Sequence, residues 1–237
     1  MNKADTLLRV QCSHWQHKLS MATFGIMRAL SRKDPAVEDL EKPQPYHHGD
    51  LRSALLTAAE AMLERVGVEA LSLRELTREI GVSNNAPRRH FPGKQSLLDA
   101  LALQGFERLG AALDRAASSD EPEFFPRLIA VVNANIRFVT QHRALFRLMF
   151  ASKQREGASA QMLESSYKSL LAGPQTIAYG QSIGAVIEGD TVQLALTVFA
   201  AVEGLISLSV DGKLGGVPIE EVAEVIVGNI MRGLKPR

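Results

Sequence analysis

From Leu51 onward, apolar residues recur at three- and four-residue spacing, the period of an amphipathic helix. Leu51, Leu55, Ala58, Ala59, Met62, Leu63 and Val66 form one such stripe, and Gly67 stops it. Ser72 with Glu75 three residues on reads as a capping box opening a helix of about two turns, Leu73 to Ile80, which ends at Gly81. Ser83 is placed to cap a third short helix, Asn84 to Phe91, before Pro92-Gly93 breaks the chain. Past Lys94 the pattern predicts helices over Ser96 to Ala117, Pro122 to Thr140, Ala144 to Phe150, Ala158 to Gly180, Thr191 to Val210 and Pro218 to Gly233. Pro174 is expected to kink or divide the fourth of these. No alternating or β-branched run makes a strand, so the fold class is all-α.

This pattern divides the chain into an extension over residues 1–45, a three-helix domain over 46–94 and a helical domain over 95–237, bridged by the helix that starts at Ser96. The extension has no sustained period and ends in Glu41-Lys42-Pro43-Gln44-Pro45. Arg28 interrupts its apolar segment and no small-residue cleavage pattern follows, which argues against a secretory signal. We read it as poorly ordered, with translation starting at Met21 or Met27 favoured over a short amphipathic helix.

Composition narrows the picture. With 46% hydrophobic and 22% charged residues, the 237-residue chain can bury a core. The most apolar stretch, Val192 to Val210, carries Gln193, Glu203 and Gly204 and is not read as a membrane span. A single cysteine, Cys12, excludes an internal disulfide framework and a thiolate zinc site, which suits a reducing cytoplasm. The net charge of +1 hides an asymmetry: residues 1–97 hold 14 Lys and Arg against 11 Asp and Glu, the remainder 13 against 15. A polyanionic partner would therefore meet the N-terminal half.

Two short helices joined by Gly81-Val82 cannot be stable alone, so Leu73, Leu76, Ile80, Val82 and Phe91 must pack on their neighbours, as in a helix-turn-helix. The second helix then projects and can enter a major groove about 12 Å wide. Its outer residues are Asn84, Asn85, Arg88, Arg89 and His90, followed by Lys94, with no acid from Ser83 to Lys94. Asparagine can pair with adenine, arginine with guanine or phosphate, and N-terminal backbone amides with a phosphate oxygen. A merely solvated face would mix signs of charge; this one does not.

The stretch from His48 to Leu98 resembles the DNA-binding domain of the tetracycline-repressor (TetR) family. The resemblance rests on Ser72 at the start of the second helix, the Gly81-Val82-Ser83 turn, the His90-Phe91 pair and Lys94 ahead of Gln95-Ser96-Leu97-Leu98. Pro87 stands where leucine is common and Arg88 where a tyrosine usually touches phosphate, an Ala-Pro-x-Arg-His-Phe variant that leaves the operator sequence open. The family implies DNA contacts from Ser72, Ser83, Asn84, Asn85, Arg88, Arg89, His90 and Lys94. It also implies an arm before the first helix, where Tyr46, His47 and His48 fall. It further implies a homodimer on double-stranded operator DNA and a small-molecule effector. His142 to Phe150 resembles the subgroup named for a Trp-x-x-x-His-Gly motif, whose positions here are Phe199, Glu203 and Gly204.

Other signals compete. Gly180-Gln181-Ser182-Ile183-Gly184 matches the nucleophile elbow of serine hydrolases, but an elbow needs a strand before the serine and a helix after it. His14, His17, His47 and His48 lack a spaced acid or cysteine to complete a metal set, and no metal or cofactor is expected. Phe106, Phe138, Phe146, Met149, Phe150, Tyr167 and Phe199 read as core, or as the lining of a pocket with Glu203 as its polar group. Such a pocket would lie among the helices beginning at Ser96, Pro122 and Thr191. The reading is a ligand-responsive repressor that dimerises through its last two helices. The alternatives are a constitutive DNA-binding regulator or activator and, remotely, a hydrolase.

Overall fold

The computed structural model describes residues 51–118 and 121–236, and every regular element among them is helical. The order is α1 (Leu51–Ala70), α2 (Leu73–Glu79), a 3-10 turn (Ala86–Arg89), α3 (Lys94–Ala117), α4 (Phe124–Gln141), α5 (Arg143–Gln154), α6 (Ala160–Lys168), α7 (Ala172–Ser182), α8 (Thr191–Val210) and α9 (Ile219–Gly233). Two compact units result. One joins the described residues up to Arg108 with Gln141–Ser166; the other joins Leu109–Thr140 with Tyr167 onward.

In the first unit α1 packs on α2, on the 3-10 turn and on α5. Leu55, Ala59, Met62 and Leu63 of α1 are buried with Leu71, Leu76 and Phe91. The stripe breaks at Gly67, whose φ of 76° and ψ of 174° no helical residue adopts. The α1–α5 contact is also polar. The Glu64 carboxylate accepts the backbone N–H groups of Ala144 and Leu145, each at 3.0 Å, and so caps a helix begun 79 residues later in the chain. Beside it, Glu60 pairs with Arg108 and, at 3.0 Å, with Nδ1 of His142. Arg155 at the end of α5 reaches Asp99 of α3 at 2.8 and 3.0 Å.

In the second unit α8 packs against α7 and α9. Asp190 caps α8, its carboxylate accepting from the N–H groups of Val192 at 2.8 Å and Gln193 at 3.2 Å. The 158–180 segment is divided as its proline required: α6 ends at Lys168, and α7 begins at Ala172 with Pro174 in its first turn, where its missing N–H costs nothing. Arg127 stacks 4.2 Å over the Tyr179 ring, and the Tyr179 hydroxyl donates to the Pro122 carbonyl at 2.7 Å, tying the approach to α4 onto α7.

Candidate nucleic-acid interface

The second half of the helix-turn-helix departs from expectation. Asn84 to Phe91 is not an α-helix; only Ala86–Arg89 is helical, as one 3-10 turn. Pro87 bears on this, since in an α-helix its ring would press on the carbonyl four residues back, that of Ser83. The turn closes through Ala86 N–H to the Ser83 carbonyl at 3.0 Å and His90 N–H to the Pro87 carbonyl at 2.9 Å. The backbone amides expected to face a phosphate are thus partly consumed. The capping box is also absent. Ser72 has the extended N-cap backbone, but its hydroxyl makes no capping bond, and Glu75 faces Arg78 at 4.0 Å. Ser83 is exposed and contributes its carbonyl to the turn.

The expected side chains nevertheless share a surface. Ser83, Asn84, Asn85, Arg88, Arg89 and His90 are all exposed, while Pro87 and Phe91 between them are buried and anchor the segment. Gly81 turns the chain between α2 and this segment with φ of 71°, a conformation costly for other residues. Asn84 is tethered. Thr77, only 1% exposed on α2, has its hydroxyl 2.8 Å from Asn84 Oδ1 and 2.8 Å from the Arg74 carbonyl. The Oδ1 end of the Asn84 carboxamide is thereby held, which does not suit a two-point contact to adenine. Lys94 opens α3, where its ammonium donates to the Glu69 carbonyl at 2.9 Å and so stitches the broken end of α1 to the start of α3.

Charge favours an anion here. The nearby acid Glu79 is committed to Arg65, whereas Arg88 and Arg89 make no ion pair among the described residues. Arg52 of α1 adds a cation that sequence reasoning missed, its guanidinium 5.7 Å over the Phe91 ring. Only the packing of α1 on the 3-10 turn brings them together. Thr77 was missed for the same reason. Tyr46, His47 and His48, with Cys12, His14, His17 and the extension, lie outside the described residues.

The expected pocket residues fall into both units. Phe106, Phe146 and Phe150 form one aromatic cluster, with ring centroids 6.1 Å apart for Phe106–Phe150 and 4.8 Å for Phe146–Phe150. Met149 is fully buried beside Gly105, where a side chain would collide with it. These four belong to the unit of the helix-turn-helix; Phe138, Tyr167, Phe199 and Glu203 belong to the other. Phe138 is buried and Tyr167 and Phe199 are half-buried. Glu203 Oε1 is buried with no hydrogen-bond partner even though part of its residue reaches solvent. Burial pushes its pKa up to about 7, opposed by a hydrogen bond from Asn135.

The hydrolase motif does not form an elbow. A helix, α7, precedes Ser182, whose hydroxyl donates back to the Tyr179 carbonyl at 2.8 Å. Gly180 serves packing: a Cβ there would lie 2.5 Å from the Phe124 ring.

Known proteins share this geometry. The family model of bacterial regulatory proteins, tetR family, matches residues 55–101, and that of the tetracyclin repressor-like C-terminal domain matches 128–229. Among solved structures, a protein of unknown function from Rhodococcus sp. RHA1 is 42% identical over 82% of this chain and 100% of its own, with a TM-score of 0.75. The TetR family transcriptional regulator PfmR from Thermus thermophilus is 22% identical over 77% and 99% of the two chains, with a TM-score of 0.60. A bacterial regulatory protein of the tetR family from Rhodococcus RHA1 is 20% identical over 78% and 97%, also with a TM-score of 0.60. No curated protein matches the chain.

Proposed function

The chain belongs to the TetR family of bacterial regulatory proteins, a DNA-binding transcriptional regulator with a helix-turn-helix, and from that premise we propose that it is a ligand-responsive repressor. It works in the cytoplasm as a homodimer on a palindromic operator. The observation that carries the DNA-binding part is the exposed, acid-free surface of Asn84, Asn85, Arg88, Arg89 and His90 held out by buried Pro87 and Phe91.

Dimerisation is supported by α8. It is long and apolar enough to cross a membrane, yet only 22% of that stretch is buried within the chain. Val198, Val202, Leu205 and Ile206 face the core, which leaves Val192, Leu194 and Leu196 half-buried and Leu208 exposed. On α9, Val225 is 64% exposed. Gly204 has open space where a side chain would stand, so a second helix can approach α8 closely. A two-fold pair joined here covers this apolar surface and presents two reading heads to inverted half-sites.

The test is selection of binding sites from random duplexes, with sedimentation of the intact protein. The expected outcome is a dimer and an inverted repeat whose half-sites lie roughly 34 Å apart, bound with affinity that falls steeply in salt. A clean monomer, or an unenriched pool, overturns the reading. Operator binding is then repeated with ligands found by thermal stabilisation. If every stabilising ligand leaves operator affinity unchanged, the protein is instead a constitutive regulator, because a switch requires differential affinity for two states.

A further inference from the structure

Buried polar groups of the second unit largely find partners inside it. The Thr176 hydroxyl, for example, donates to the Ala172 carbonyl at 2.7 Å. Three buried oxygens among the described residues have no partner, Asn133 Oδ1, Asn135 Oδ1 and Glu203 Oε1, and the last two belong to one pair, Asn135 on α4 with Glu203 on α8. The two side chains are hydrogen-bonded to one another, yet Glu203 Oε1 and Asn135 Oδ1 are both buried with no partner. Asn135 Oδ1 is an acceptor, and Glu203 Oε1 is one whenever the carboxyl is ionised, so the ionised pair needs N–H or O–H donors, and a buried acceptor left unmade is costly.

The surroundings narrow the donor. Phe199 stands one turn before Glu203 on α8, and Phe138 three residues after Asn135 on α4, so each ring shares a helix face with one of the orphaned oxygens. Aromatic side chains at this spacing suit the apolar body of a ligand. Glu203 makes no ion pair among the described residues, so an ionised carboxylate here stands without a counter-ion.

We propose that the Glu203–Asn135 pair recognises the protonated amine of a ligand with an apolar body, the ammonium donating N–H bonds to Glu203 Oε1 and Asn135 Oδ1. The inference rests on the ligand-responsive reading above and gives that ligand its chemistry: a lipophilic primary amine. The carboxylate supplies the charge, the amide oxygen the second acceptor, and the aromatic rings a surface for the apolar part.

Calorimetric titration of the whole protein with octylammonium, octyltrimethylammonium and octanol tests it. Octylammonium should bind at least tenfold more tightly than the other two, since one lacks the N–H donors and the other the charge. Glu203→Gln, which keeps the shape of the side chain, should abolish that preference. Equal binding of octanol and octylammonium overturns the assignment, as does a preference that survives Glu203→Gln or the absence of octylammonium binding. Adding each compound to the protein–operator complex separates this from the function itself. Release by octanol without dependence on Glu203 sinks the amine site but keeps the switch. Octylammonium that binds through Glu203 without releasing DNA keeps the site and sinks the switch.

Discussion

The Thr77 hydroxyl on α2 lies 2.8 Å from Asn84 Oδ1, so a buried residue of the first recognition element fixes the amide of an exposed residue in the second. With one end of the carboxamide held, Asn84 acts at the phosphate or at a single acceptor. Asn84→Ala should therefore weaken binding about equally across single-base variants of the operator. Thr77→Val should weaken it roughly 2- to 10-fold, the worth of one net hydrogen bond. Competition binding over an operator variant set is the check. Loss of preference at one A·T pair in Asn84→Ala would show two-point base reading instead.

Arg88 and Arg89 are exposed without ion pairs among the described residues, whereas Lys94 holds the Glu69 carbonyl at 2.9 Å. Replacing either arginine by alanine should leave the melting temperature unchanged and reduce the salt dependence of DNA binding by about one phosphate contact. Lys94→Ala should lower both affinity and melting temperature. Salt titrations with parallel thermal melts distinguish the two behaviours, and an unchanged salt slope in Arg88→Ala would remove that residue from the interface.

The Glu64 cap predicts a stability effect far from any DNA contact. Glu64→Ala leaves the Ala144 and Leu145 N–H groups without their carboxylate and should cost about 1–2 kcal/mol, with Glu64→Gln milder because one oxygen remains. Urea denaturation measures both, and an Ala variant as stable as the parent would mean that water replaces the cap without loss.

Glu203 gives the protein a pH-dependent stability of definite sign. Its folded pKa of about 7 lies above the ordinary 4.5, so the folded state holds the proton more tightly than the unfolded chain. Stability contributed by this group is full below pH 4.5 and is lost as the pH rises to about 7, a decline of up to about 3 kcal/mol. Glu203→Gln should flatten that part of the profile and be the more stable protein at pH 8. Parallel denaturation series between pH 4 and 8 test this; superimposable profiles would place the carboxyl in solvent.

Local signals carried much of the fold. The three- and four-residue stripe of Leu55, Ala59, Met62 and Leu63, the stop at Gly67 and the start of α8 after Asp190 are legible because helix periods and breakers act over a few residues. The basic row from Arg88 to Lys94 and its helix-turn-helix setting were legible for the same reason. Tertiary structure decided the rest. Where a capped α-helix was expected, a 3-10 turn stands, its Pro87 and Phe91 buried in the core. The Thr77–Asn84 tether, Arg52 over Phe91, the Glu64 cap on α5 and the Glu203–Asn135 pair join residues that no local period relates. Their energies depend on burial and approach between separate helices, and these are fixed only when the chain packs.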